Sequence, residues 1–302
     1  MLTAMRKATS KRVTVSIVGP GRLGSALAVN LARSGYRPEF LVTRSRKRVS
    51  RDVTKLARRL NAEVVALGEK TLDTGLVWIT VPDDEIAAVT EKLVAAQSWR
   101  GRIVFHSSGA LTSDVLSQLR TKGAKVASVH PVMTFVGRSM PRLAGVPFGV
   151  EGDGEAVRLA KRVIGDLGGS AVAIKKQDKV LYHAFGTFAS PMVIALMASL
   201  EQVGKAAGIK RSDIRTMAGP LLRQTLNNYL EHGAAAAFSG PLVRGDVATV
   251  RSHLTALQAT PQAREAYVSL ARAAIKFLPV KDKSGIEREL TVQRRGIRYG
   301  KA

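Results

Sequence analysis

Hydrophobic and polar positions follow two rhythms along this chain, and the change between them divides it. Up to about residue 175, short apolar runs rich in β-branched residues recur between longer helical patterns. They lie at Val13 to Val18, Glu39 to Thr43, Glu63 to Ala66, Leu76 to Val81, Ile103 to His106 and Val126 to Val129. Such alternation predicts a doubly wound, mostly parallel sheet with crossover helices. One predicted helix starts at a Ser50 cap and aligns Val53, Leu56, Ala57 and Leu60 on one face. Further on come "VPFGVEG", a helix from Glu155 to Leu167 stopped by Gly168-Gly169, and the strand "SAVAI". After Lys176 the chain turns alanine- and leucine-rich, with helical patterns and no strand signal until about Val280.

The expected organisation is therefore a lead at 1–11, an α/β domain at 12–175, an all-α domain at 176–280 and a loosely held basic tail at 281–302. No internal repeat is present. From Val180 to Leu200 no side chain carries a formal charge unless His183 is protonated, which raises the possibility of a membrane span. Gly186, Ser190, Pro191 and several alanines make the stretch only weakly apolar, so a buried core helix is expected and no membrane partner. The first twelve residues are basic but lack an apolar segment of the signal-peptide kind and read as a lead into the first strand; the lack of cysteine fits a reducing setting, and the expected location is cytoplasmic.

The stretch "SIVGPGRLGS" places Gly19, Gly21 and Gly24 between a predicted strand and a helix carrying Leu23, Leu27 and Leu31 on one side. That context makes it a Rossmann turn. The first glycine permits the tight turn, the second lets backbone approach a pyrophosphate, and the third lets helix and strand pack closely. The free N–H groups of the helix start, around Arg22 and Leu23, complete an anion site. A cofactor with a free ribose 2′-hydroxyl calls for a carboxylate about 20 residues further on. Here Thr43, Arg44 and Ser45 occupy that region, which suits a 2′-phosphate and so NADP(H) rather than NAD. The alternative is that Arg44, Arg46, Lys47 and Arg48 are solvated surface charge; against it, cations before a helix start oppose its dipole unless something anionic is near.

Composition narrows the remaining choices. There is no cysteine among the 302 residues, which excludes disulfides and thiolate metal sites, and the five histidines show no metal-ligand spacing. The formal net charge is +24, with fifteen basic and two acidic residues in positions 1–60. That field would attract anionic ligands, but no aromatic-basic interleaving or nucleic-acid motif accompanies it, so no specific nucleic-acid partner is expected.

Candidate chemistry clusters at strand ends, where open α/β sheets collect ligands. "TVPDDEI" brings Val81 and Pro82 to the cofactor, and "FHSSGALTSD" offers Ser107 and Ser108 for a cofactor amide or a substrate oxygen, unless Thr112 or Ser113 is merely a helix cap in a polar turn. His130 in "SVHPVMTF" reads as a hydrogen-bonded loop histidine or a substrate handle. Lys179, Tyr182 and His183 share a helix face, with Leu181, Phe185 and Phe188 on another. Lys179 or His183 could donate a proton to an acceptor carbonyl or imine, while the bland alternative is an exposed lysine and a buried, satisfied histidine. In "SGPLVRGDVATVRSHLTAL", Gly240-Pro241 breaks a helix and Asp246 caps the next, whose buried stripe is Val247, Val250, Leu254 and Leu257. Arg244 could fork onto a substrate carboxylate or pair with Asp246.

"HSSGAL", "SVHPVMTF", "DKVLYHAFGTFAS" and "SGPLVRGDVATVRSHL", in this order after a Rossmann turn, resemble bacterial proteins that join a Rossmann-like domain to a helical domain of unknown function. These are similar to pyrroline-5-carboxylate reductase, to deazaflavin-dependent NADP oxidoreductases and, more distantly, to β-hydroxyacid dehydrogenases. The resemblance covers roughly residues 12–275. It implies NADP(H) as cofactor, a homodimer through the helical domain and an active site between the domains. It also implies that Lys179 and His183 match the lysine and the polar residue four positions later that serve substrate in the β-hydroxyacid dehydrogenases, and that Ser107 or Ser108 matches their serine. "SGPLVRGD" is similar in position to the substrate loop of imine reductases. One departure is Ser190-Pro191 where Ser-Asn is common. The expected function is an NADP-dependent oxidoreductase reducing a carbonyl or imine of a small, anionic substrate, with Lys179, His183 and Ser108 catalytic and Ser108, His130, Tyr182, Arg244 and Asp246 at the substrate. The alternative is a non-catalytic NADP-binding sensor or scaffold.

Overall fold

The computed structural model describes residues 13–137 and 139–292; the expected N-terminal lead and the end of the expected tail lie outside them. Two compact units divide between Thr187 and Phe188. The first alternates strands and helices: β1 (Thr14–Val18), α1 (Arg22–Arg33), β2 (Arg37–Thr43), α2 (Arg51–Leu60), β3 (Glu63–Ala66), β4 (Leu76–Ile79), α3 (Ile86–Ala96), β5 (Ile103–His106), α4 (Ser117–Thr121), β6 (Lys125–Pro131), β7 (Pro147–Gly152), α5 (Gly154–Asp166) and β8 (Ser170–Ala173). The sheet order is β3-β2-β1-β4-β5-β6-β7-β8, and every neighbouring pair is parallel except β6 with β7. The crossing from β1 to β4 beside β2 is the topological switch point, where the ends of β1 and β4 open a crevice.

Side chains alternate across each strand, and both faces are covered. Ile17, Leu41, Trp78 and Phe105 pack with α1 and α5 side chains such as Leu27 and Val163, while Val18, Val42, Ile79 and Val104 pack with Ile86, Leu93 and Leu119. Burial on both sides is why these strands read as continuous apolar runs. The expected Ser50 cap is present, its hydroxyl accepting from Val53 N–H at 3.3 Å.

After β8 come α6 (Lys179–Ala189), α7 (Pro191–Ala206), α8 (Arg211–Ala237, interrupted at Gly233 with φ +76), α9 (Pro241–Arg244), α10 (Val247–Ala256), α11 (Pro261–Phe277) and α12 (Lys283–Val292). Two expectations need correction. Residues 283–292 are not a loose tail: they form α12, whose Ile286 and Leu290, one turn apart, are buried against Val250, Leu254, Ala271 and Ala274. Nor is Val180 to Leu200 a buried core helix. Ser190 and Pro191 split it into α6 and α7, and Leu181, Phe188 and Ile194 are 75%, 74% and 67% exposed. Residues 176–206 are long and apolar enough to cross a membrane by length and composition alone.

Candidate functional site

Three glycines in the first turn have three separate jobs. Gly19 has φ +88, and a Cβ there would lie 2.5 Å from Val81 Cγ1. A Cβ on Gly24 would meet Gly19 O and Thr80 Oγ1 at 2.5 Å. Thr80 belongs to this turn, since its hydroxyl donates to Gly19 O at 2.7 Å. Gly21 differs: the nearest atom to its Cβ would be Gly19 O, 4.0 Å away. Among the described residues no atom crowds a side chain there, so the missing one leaves room for something bound. The α1 N-terminus directly behind it has no side-chain cap and no acid in its first turn.

These groups face a cleft of about 660 Å³ whose lining includes Gly19, Gly21, Thr43, Arg44, Val81 and Pro82. A backbone cradle, a helix N-terminus and a cavity of this size together fit a dinucleotide. Arg44 stands on the rim, largely exposed, paired to Glu85 at 2.6 Å. Ser45 accepts from Lys47 N–H at 3.3 Å, and the Thr43 hydroxyl lies 3.4 Å from the carbonyls of Ser45 and Val65. Arg46 pairs with Glu63 and Glu69. Glu63, Glu69 and Glu85, all distant in sequence, therefore already offset part of the positive run before α2.

The second cluster lies at the ends of β5 and β6. Ser108 Oγ donates to Asp83 Oδ2 at 2.7 Å and accepts from the N–H groups of Ala110 and Leu111. One proton and two lone pairs are thus all in use, and the hydroxyl ties the loop after β5 to the residue following Pro82. Ser107 Oγ accepts from Trp78 Nε1 at 2.8 Å. Thr112 caps the short helix that follows, as the bland reading of this loop expects. His106 fixes the loop from beneath, Nδ1 accepting from Ser108 N–H and Nε2 reaching Thr112 O. Burial, followed by the nearby Lys179 charge, pushes its pKa down to about 3.

Lys179 is fully buried at the start of α6, where Nζ donates to Ser128 Oγ at 2.5 Å and Ser128 Oγ donates to Ser108 O at 3.2 Å. The bland expectation of an exposed lysine is therefore overturned, and Ser128 on β6 holds its ammonium. Burial lowers the Lys179 pKa to about 8, opposed by the negative charges of Glu151 and Asp83. Glu151 is itself buried on β7, opposite Ser128, and accepts from both the N–H and the hydroxyl of Ser113.

His130 sits within β6 rather than in a loop, because the strand runs on to Pro131 in pairing with β7. Its Nδ1 lies 2.7 Å from Tyr182 OH, and burial pushes its pKa down to about 4, with the Lys179 charge adding to the effect. His183 is exposed, not buried. A Cβ on Gly109 would lie 2.7 Å from His183 Cδ2 and 2.9 Å from His130 Nε2. Lys179, His130 and His183 thus converge on Ser108 and Gly109, whose hydrogen bond to Asp83 reaches the loop lining the cleft. Asp83, Ser128, Gly109, Gly149, His106 and Glu151 were not singled out in the sequence. Only their positions at strand ends marked them, inside motifs chosen for other residues.

In the second unit Asp246 caps α10 as expected, accepting from Thr249 N–H at 3.0 Å and from its hydroxyl at 2.7 Å. Those bonds, chiefly the hydroxyl, hold its carboxyl below the usual range. Arg244 is exposed on α9 and makes no salt bridge among the described residues, so the expected alternative of a direct pair with Asp246 is absent.

Fold and turn together define a Rossmann-like domain followed by helices. A Rossmann-like domain model matches residues 3–131, and the model of a domain of unknown function, DUF2520, matches residues 146–274. This is the pairing the sequence motifs resemble. No curated protein matches the sequence. Solved structures share the fold: a Bacteroides fragilis protein assigned as an NADP oxidoreductase has TM-score 0.71 at 20% identity, covering 87% of this chain and 97% of its own. A reductive aminase from Aspergillus terreus, in complex with NADPH and ethyl-5-oxohexanoate, has TM-score 0.65 at 15% identity, covering 92% and 99%. A pyrroline-5-carboxylate reductase from Coxiella burnetii has TM-score 0.56 at 14% identity, covering 87% and 98%.

Proposed function

We propose that this protein is a cytoplasmic NADP(H)-dependent oxidoreductase that reduces a carbonyl or imine of a small, anionic substrate. The observation that carries the reading is the open space at Gly21, in line with an uncapped helix start and a cleft of dinucleotide size. Structures of the same fold that hold NADPH support the choice of cofactor. In this reading Gly19, Gly21 and Gly24, with the N–H groups of Arg22 and Leu23, hold pyrophosphate, and Arg44 turns from Glu85 to a 2′-phosphate. The bound cofactor would supply hydride. Lys179 or His183 supplies the proton, Ser108 fixes the loop beneath the substrate, and exposed Arg244 is available for a substrate carboxylate.

Homodimerisation through the helical unit belongs to the proposal. Among the described residues, Leu221, Tyr229 and Leu230 of α8 are 69%, 54% and 76% exposed, and α6 and α7 add Phe185, Phe188 and Ile194. Apolar exposure on this scale marks an association surface. Light scattering of the purified protein should give twice the chain mass; a monomer would remove this part of the reading.

The saturated Ser108 hydroxyl and the complete burial of Lys179 favour a second reading, a non-catalytic NADP-binding sensor or scaffold. A panel of small keto acids and cyclic imines incubated with NADPH separates the two. Loss of nicotinamide absorbance that depends on Lys179 supports the enzyme, whereas cofactor binding without turnover across the panel supports the sensor.

A further inference from the structure

Tyr182 rests where β7 has no side chain. A Cβ on Gly149 would lie 2.6 Å from the phenol Cζ, so glycine at this position is what lets the ring settle onto the strand. There the hydroxyl meets Nδ1 of His130 at 2.7 Å, the two rings standing edge to face at 89°. The polarity of this bond follows from donor and acceptor strength: a neutral imidazole nitrogen accepts better than a phenol oxygen and a phenol donates better than an imidazole N–H, so the phenol proton bridges to Nδ1. The imidazole proton then belongs on Nε2. Nε2 has no protein partner among the described residues and lies over the bare Cα of Gly109, beside His183.

We infer that Tyr182 is a positioning residue: seated on Gly149, it fixes His130 as the Nε2–H tautomer, so that His130 offers a neutral N–H donor to a hydrogen-bond-accepting oxygen of the substrate. The substrate part rests on the oxidoreductase reading, and of the two acceptor classes there it selects a carbonyl over a protonated imine, which has no lone pair to receive the donor. No proton is transferred in this arrangement. A neutral donor can polarise a carbonyl without first being charged, as neutral histidines do in other active sites.

The test is nuclear magnetic resonance of the full chain labelled with nitrogen-15 histidine, with His130 assigned by the signals lost in His130→Gln. In the wild-type protein at neutral pH, Nε2 should show the shift of a protonated nitrogen and Nδ1 that of an unprotonated one. Tyr182→Phe should mix the two tautomers, and Gly149→Ala, which displaces the phenol, should do the same by another route. A protonated Nδ1 in the wild type overturns the inference, as do tautomers unchanged in both variants. The wild-type spectrum decides the tautomer even if neither variant folds. An NADPH titration of the same sample separates the outcomes: a fixed Nε2–H without NADPH binding sinks the oxidoreductase reading and leaves the positioning role intact.

Discussion

Replacing Gly21 and Gly24 separately with alanine distinguishes a glycine kept for a ligand from one kept for the fold. At Gly24 the new methyl would sit 2.5 Å from both Gly19 O and Thr80 Oγ1, and the first is backbone that cannot turn aside. Overpacking of this kind costs up to about 3 kcal/mol, and alanine's better helix propensity offsets about 1 kcal/mol. Gly24→Ala should therefore lose about 2 kcal/mol of stability. At Gly21 the methyl meets nothing closer than 4.0 Å, and φ is −76°, which alanine adopts without difficulty. Losing the preferred glycine at a helix N-cap costs under about 1 kcal/mol. The same methyl, however, fills the space through which backbone would approach a pyrophosphate. A hundredfold loss of NADPH affinity, about 2.8 kcal/mol, is the expected scale. Urea unfolding gives the stabilities and quenching of intrinsic fluorescence by NADPH gives the affinities. If Gly21→Ala binds NADPH as tightly as the wild type, or Gly24→Ala is as stable as the wild type, the assignment of separate jobs to the glycines is wrong.

Arg44→Asp should weaken NADPH binding far more than NADH binding, and Glu85→Gln, which releases the Arg44 guanidinium, should tighten NADPH binding; parallel changes for both cofactors would remove Arg44 from the 2′-phosphate. Lys179→Ala should cut turnover while leaving NADPH affinity nearly intact. In the wild type, a proton donor with a pKa of about 8 means turnover falls as pH rises through that value, and this limb should vanish in the variant. Acid stability follows from His106 and His130, whose folded pKa values of about 3 and about 4 lie below the ordinary value. The unfolded chain takes up protons first, so their stabilising contribution is complete above about pH 6.5 and is lost as pH falls toward the folded values. By pH 5 each histidine should have cost about 2 kcal/mol, and His106→Asn should roughly halve the loss measured by urea unfolding.

The strands and the glycine turn were legible in sequence because both depend on local chemistry. Apolar runs such as Leu76 to Ile79 must be buried on both faces wherever they lie, and a strand, three spaced glycines and a helix leave few alternatives. Caps were legible for the same reason, since Ser50 and Asp246 act within three residues. The candidate cluster around Lys179 was legible only in part. Lys179, Tyr182 and His183 could be placed on one helix face, but the partners that define their states come from β6 and β7, about 30 to 50 positions earlier in sequence. Ser128 and Gly149 carry no signal of their own; antiparallel pairing of β6 with β7 gives them meaning. Hydropathy from Val180 to Leu200 could not tell a core helix from one left at the surface. The sequence expectation placed the stretch in a core, whereas the fold leaves the side chains on the outside of the chain.

Calorimetric titration of the purified protein with NADPH, and separately with NADH, tests the nucleotide cleft most directly. Saturable heat with one NADPH bound per chain, and weaker binding of NADH, is the predicted result. No heat of binding with either cofactor would contradict the account.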